Sequence, residues 1–197
     1  MKTFLLYFTC ICFIILFDAC EHNNQKSSNS VSLATKENDA KLPDSLLQND
    51  ASFAVAVAEE HLLQATTATL CETNASLDTI VKFGRTLVKN HRAINEQLTG
   101  WAKSNNVSIP DSLTTENKTK FKELAKEKER PFEKKFTRFI IDDYQGLLDN
   151  YRREAETGKD TLLKAWTREK IRILESDLQT AYWIEAVLSK SPLKNKS

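Results

Sequence analysis

The chain has 197 residues; 28% are charged, and the formal net charge is only +1. That balance argues against a general nucleic-acid binder, which carries a basic excess on one face. Glycine and proline number four each, too few turn signals for a sandwich or barrel of many strands, so helix is the expected class.

Lys2 gives the chain a short positive start, and Phe4 to Phe17 is an apolar run apart from Thr9, with Thr3 just before it. The run has the length of an export-signal core and is too short to cross a bilayer comfortably as a helix. It ends at Phe17-Asp18-Ala19-Cys20. This resembles the bacterial lipobox, in which an apolar residue and two small residues precede the cysteine that receives the lipid; Asp18 departs from it. Residues 1–20 are therefore expected to be a lipoprotein signal peptide with Cys20 lipidated; ordinary signal cleavage or an uncleaved anchor is the other reading. Acyl chains on Cys20 hold a protein at a membrane by burying methylenes. Cys10 and Cys12 lie inside the apolar run, so Cys71 is then the only thiol left in the mature chain, and an internal disulfide is impossible. Cys71 falls on an apolar stripe with no adjacent positive charge, as a buried, unreactive residue does.

Residues 21–49 are dominated by Asn, Ser, Lys, Asp and Gln. Such a stretch buries too little apolar surface to offset its chain entropy and is expected to be a flexible tether. From residue 50 to 190 the spacing of apolar residues in threes and fours predicts four long amphipathic helices. The first runs from Asp50, a candidate N-cap, to about Glu72, with Phe53, Val57, Gln64, Ala68 and Cys71 on its stripe. The second starts after Asn74 or Ser76 and reaches about Asn105, with a seam of Leu77, Ile80, Gly84, Leu87, His91, Ile94, Leu98 and Trp101. Gly84 on that seam costs helix propensity, which a close backbone approach explains.

A loop containing Pro110 leads to a short helix around Phe121, Leu124 and Ala125. Lys118 to Lys135, rich in both signs of charge, is expected to be a solvated face. The third long helix has Pro131 in its first turn, carries Phe132, Phe136, Ile140, Tyr144, Leu147 and Tyr151, and stops at Gly158. Asp160 is placed to cap the fourth, whose stripe is Leu163, Trp166, Ile173, Asp177, Ala181, Ile184 and Leu188, and residues 191–197 form a tail. Short links within the first and second pairs make antiparallel neighbours. The expected fold is all-α: an antiparallel four-helix bundle with a short extra helix between helices 2 and 3.

One polar residue interrupts the apolar stripe of each long helix: Gln64, His91, Tyr144 and Asp177. Helical bundles aim metal ligands inward from facing helices, so these four are the candidate metal residues, with iron, manganese or zinc the ions to consider. The other reading is a buried hydrogen-bond network without cofactor. If His91 is only such a core group, His91→Leu is expected to be roughly neutral to modestly stabilising. His61, beside Glu59 and Glu60 at the stripe's edge, reads as solvated, as does His22. No Glu-x-x-His pair, glycine-rich phosphate loop, cysteine cluster or nucleophile–histidine–acid set occurs in the sequence.

The segment Lys82-Phe83-Gly84-Arg85-Thr86-Leu87-Val88-Lys89-Asn90-His91-Arg92-Ala93-Ile94-Asn95, then Pro110, the pair Phe132 and Phe136, and Asp143, Leu148, Tyr151, Glu154, Ala155, Gly158 and Asp160 form a recognisable pattern. It resembles the bacterial envelope proteins grouped as domain of unknown function 4142, over about Phe53 to Ala186. The resemblance implies a ferritin-like bundle and an outer membrane location. That family usually carries a glutamate on the first helix and a histidine on each of the others. At the matching positions this chain has Gln64, His91, Tyr144 and Asp177, so only one histidine is kept. Together these features lead us to expect a non-enzymatic, lipid-anchored module facing the periplasm, with an envelope protein as possible partner and no cofactor. The alternative is a metal-binding ferritin-like bundle with redox or storage activity.

Overall fold

A computed structural model describes residues 30–42 and 47–190. Residues 1–20, expected to be a signal peptide, with Cys20, and also His22 and the tail beyond residue 190, lie outside the described residues. Those described are all-helical, with no strand. The helices are α1 (Ser30–Lys41), α2 (Gln48–Ala68), α3 (Cys71–Asn74), α4 (Asp78–Ser104), α5 (Thr115–Ala125), α6 (Glu129–Thr157) and α7 (Thr161–Lys190). Four of them are long, as the periodicity predicts. α2 lies along α4 and α6 along α7, while α2–α6 and α4–α7 contacts join the two pairs.

Two elements were not expected. The first predicted helix breaks after Ala68 and resumes as the single turn α3, rather than continuing to Glu72. Part of the stretch read as a flexible tether is helix α1. Its buried face is Ser30, Ala34 and Asn38, two of them polar, which explains why an apolar-periodicity argument passes over it. The Ser30 hydroxyl donates to the Ser112 carbonyl at 2.7 Å, and Asn38 exchanges two hydrogen bonds with Ser108, at 2.8 and 2.7 Å.

The seams bury what the spacing selects. Ile80, Leu87, Ile94 and Leu98 from α4 meet Phe132, Phe136, Ile140 and Leu147 from α6 in one apolar core. The exceptions on that seam are Leu77, outside α4 and partly exposed, and Trp101, only half-buried. On α7 the buried positions in the first half are Leu163, Thr167, Lys170 and Leu174, so the expected Trp166 and Ile173 flank the stripe instead of occupying it. The buried Lys170 reaches out to Glu169 at 2.8 Å, keeping its charge at the rim while its stem lies in the interface.

Gly84 is required by contact. A Cβ there would stand 2.5 Å from Cys71 Cβ and 2.9 Å from the Ala68 carbonyl oxygen, so α4 crosses the α2–α3 break at a distance only glycine permits. α4 ends in a Schellman motif. Asn106 takes the left-handed conformation (φ 57°), and the Val107 N–H donates to the Ala102 carbonyl at 2.8 Å.

Helix starts are capped mainly from other helices. Asp50 is not the cap of its own helix. Fully buried in the first turn of α2, its carboxylate accepts from the Lys159 N–H at 2.9 Å and the Asp160 N–H at 2.6 Å, at the start of α7. Asp160 itself caps α7 through the Leu163 N–H at 2.6 Å, as expected. Glu133, in the stretch read as a solvated face, is fully buried. One of its oxygens accepts from the N–H groups of Ser76 and Leu77, at 2.9 and 2.8 Å, ahead of α4. Glu59 does the same for Thr114 before α5, at 2.8 Å. These carboxylates satisfy orphan N–H groups and sit at the positive ends of helix dipoles.

Candidate functional site

The most concentrated polar chemistry in the interior is a line of four side chains from three helices. His61 comes from α2, His91 from α4, and Tyr144 and Tyr151 from α6; all four are fully buried. Tyr151 Oη meets His61 Nε2 at 2.6 Å, the two Nδ1 atoms of His61 and His91 meet at 2.7 Å, and His91 Nε2 meets Tyr144 Oη at 2.5 Å. The rings of each Tyr–His pair stand edge to face.

Hydrogen-bond arithmetic makes this line directional. A neutral imidazole has one N–H and one lone pair, so the central contact needs one donor and one acceptor. If His61 donates through Nδ1, its Nε2 accepts from Tyr151 and His91 donates through Nε2 to Tyr144. The reverse assignment turns every bond around. The first direction leaves the Tyr144 hydroxyl hydrogen outside the line, and the second leaves that of Tyr151 outside it. The heavy-atom geometry fits either direction, Tyr151→His61→His91→Tyr144 or its reverse, but not a mixture of the two. Burial keeps the imidazoles neutral, pushing His91 down to about 3 and, together with His91, holding His61 well below its ordinary value. Burial raises both tyrosines well above theirs.

Beside this line is an acidic pair. Glu60 on α2 and Asp143 on α6 face one another, and the Gln64 carboxamide, four residues after Glu60, donates from Nε2 to Asp143 Oδ2. Burial first, and the Asp143 charge second, push Glu60 up to about 8. Burial likewise raises Asp143. On α7, Asp177 accepts from Asn90 Nδ2 at 3.0 and 3.2 Å, and burial raises it to about 6.

All four sequence-selected residues, Gln64, His91, Tyr144 and Asp177, point inward and are buried. The structure joins only His91 and Tyr144; Gln64 is bonded to Asp143, and Asp177 to Asn90. His91 has both ring nitrogens engaged, and Gln64 and Asp177 are turned to partners of their own, so the four do not fit a shared transition-metal ion as ligands. Among the described residues no group of three or more His, Cys, Asp and Glu side chains is placed to hold a metal ion. His61 is the main residue that the sequence reading misplaced. Val57, His61, Gln64 and Ala68 run in steps of four, three and four, so His61 fills the stripe where the charged neighbours Glu59 and Glu60 suggested an edge. Tyr151 was placed on the core face correctly, but without a role for its hydroxyl. Cys71 is buried and free, and burial pushes its thiol up to about 12.

The family described as Domain of unknown function (DUF4142) matches residues 33–184. The chain belongs to that family. The match begins inside α1, well before the Phe53 at which the sequence resemblance starts, so the DUF4142 segment takes in the polar helix as well as the four long ones. No curated protein and no solved structure matches the chain.

Proposed function

We propose that this DUF4142 protein is a non-enzymatic helical binding or structural module of the bacterial cell envelope. In this reading its four long helices form an antiparallel, ferritin-like four-helix bundle, and lipid on Cys20 holds it at the outer membrane, facing the periplasm. The observation that carries the non-enzymatic part is the closed Tyr151–His61–His91–Tyr144 line. Its imidazole nitrogens are all engaged inside the core, and burial holds both rings neutral, so neither imidazole is free to act on a bound substrate. The tether part is supported by the apolar run ending at Ala19-Cys20 and the polar stretch after it. Among the described residues no helix is long and apolar enough to cross a membrane, so attachment in this reading rests on the acyl chains.

The test uses the full-length chain expressed in a bacterium. Mass spectrometry of the N-terminal peptide is expected to find an acylated Cys20. Cys20→Ser is expected to move the protein out of the outer membrane fraction. Crosslinking in intact membranes is expected to trap an envelope protein with wild type and not with Cys20→Ser. An unmodified Cys20, or a membrane preparation in which crosslinking recovers no partner, overturns the proposal.

A further inference from the structure

Several buried acceptors gather where α2, α5 and α6 meet, outside the tyrosine–histidine line. Glu60 Oε2, Gln64 Oε1 and Asn117 Oδ1 are each sealed from solvent and have no hydrogen-bond partner. Gln64 is fully buried and Asn117 is 5% exposed. All three atoms are oxygens, and a buried acceptor left unpaired costs about 1–3 kcal/mol. Beside them stands the Asp143 carboxylate, turned toward Glu60 and held by the Gln64 amide. Turning that amide over brings its oxygen to Asp143, so in that orientation Gln64 presents one more carbonyl oxygen to the carboxylate pair. The local positive charge is Lys120, which acts on both Glu60 and Asp143 but whose ammonium is drawn outward to Glu116 at 3.0 Å.

The donor set decides the class of ligand. Two carboxylates with amide oxygens, and no nitrogen or sulfur, suit a hard divalent cation such as Ca²⁺, Mg²⁺ or Mn²⁺ rather than a zinc or copper ion. Glu60 Oε2 and Gln64 Oε1 are closed to solvent, which favours a single small ion over a bulky organic ammonium. A pocket of about 410 Å³, lined by Glu59, Glu60, Asn117 and Lys120, brings solvent to the outer side of Glu60 and Asn117. We propose that Glu60, Asp143, Gln64 and Asn117 form a binding site for a hard divalent cation. The site shares only Gln64 with the set implied by the family resemblance, uses neither histidine, and does not depend on the membrane proposal.

The test titrates the full-length chain in detergent with Mn²⁺, reading free Mn²⁺ by electron paramagnetic resonance, with Ca²⁺ and Mg²⁺ as competitors. One equivalent of Mn²⁺ is expected to bind and to be displaced by Ca²⁺ or Mg²⁺. Glu60→Gln and Asp143→Asn are each expected to weaken binding at least about tenfold, since each replaces a carboxylate ligand of the cation by an uncharged amide. Lys120→Met is expected to tighten it, through loss of a competing positive charge near the carboxylates. His91→Gln is expected to leave it unchanged. Absence of Mn²⁺ binding by both the wild type and Lys120→Met overturns the site, as does binding that survives in both carboxylate variants. Loss of binding in His91→Gln also overturns it, because the imidazoles are then the ligands. Lys120→Met lies on a partly exposed helix face, so the site remains testable if a carboxylate variant does not fold.

Discussion

Burying two neutral histidines makes stability depend on pH in a way that can be worked out for His91. Its folded value is about 3 against an ordinary 6.5. For a depressed imidazole, folding favours the neutral form, so the stability it contributes is fully present above 6.5. It begins to fall as the unfolded chain takes up protons below that value, and is fully lost only near the folded value. At pH 5 an unfolded histidine is protonated about thirtyfold over neutral, while His91 in the fold is almost wholly neutral. The wild type therefore loses about 2 kcal/mol between pH 8 and pH 5 from this one group. Total stability does not isolate it, because Glu60, raised to about 8, and Asp177, raised to about 6, act in the opposite sense and stabilise the fold as pH falls. The comparison must be between wild type and His91→Gln, in which the carboxyl contributions cancel. Urea unfolding at both pH values is expected to show the wild type's advantage over the variant shrinking by about 2 kcal/mol at pH 5. A difference that stays constant across the range refutes the reasoning, since His91 then protonates in the fold as readily as in the unfolded chain.

Other substitutions test the geometry directly. His91→Leu is expected to destabilise by about 2–4 kcal/mol in thermal or urea unfolding, against the near-neutral result expected of an isolated core histidine, because it leaves His61 Nδ1 and Tyr144 Oη buried and unpaired. Gly84→Ala gains helix propensity but drives a methyl into Cys71 and the Ala68 carbonyl, so a net loss of about 1–3 kcal/mol is expected in the same assay. Asp50→Ala strips the N–H groups of Lys159 and Asp160 of their acceptor and is expected to cost about 2–3 kcal/mol, with amide exchange rising first at the start of α7. Cys71, buried with its thiol raised to about 12, is expected to react with a disulfide reagent only at the rate of global unfolding; fast labelling of native protein contradicts its placement.

The long helices were legible because their apolar residues repeat every three or four positions, and Gly84, Gly158 and Asp160 sit where the spacing assigns them. What escaped the sequence was held by polar contacts between segments remote in the chain. α1 docks through Ser30 and Asn38, which carry no periodic signal. Asp50 looked like the cap of its own helix and caps another 110 residues away, a pairing that only the tertiary fold creates. Glu133, inside a run of charges, looked solvated for the same reason. In the candidate site the inward direction of Gln64, His91, Tyr144 and Asp177 was visible, but their partners were not. His61 was readable from the step between Val57 and Gln64, a gap of two turns that one more inward residue must fill. Its acidic neighbours outweighed that signal.

The tyrosine–histidine line also explains how this core selects one alignment of its helices. Apolar seams repeat every three or four residues, so sliding α6 by one turn, about 5.4 Å, against its neighbours exchanges one set of apolar contacts for a similar one. Phe132, Phe136, Ile140 and Leu147 alone resist such a slip only weakly. Tyr144 and Tyr151 are seven residues apart, about 10.5 Å along the same helix, and His61 and His91 from α2 and α4 bridge that interval through three hydrogen bonds. A one-turn slip breaks both ends at once. It leaves four buried polar groups without partners, at about 1–3 kcal/mol each. Asp50 and Glu133 add to the constraint, because each must meet a specific pair of N–H groups on a different helix start. The cost of burying these polar side chains is thus offset in the native alignment alone, and misaligned packings of the same apolar faces bear it in full.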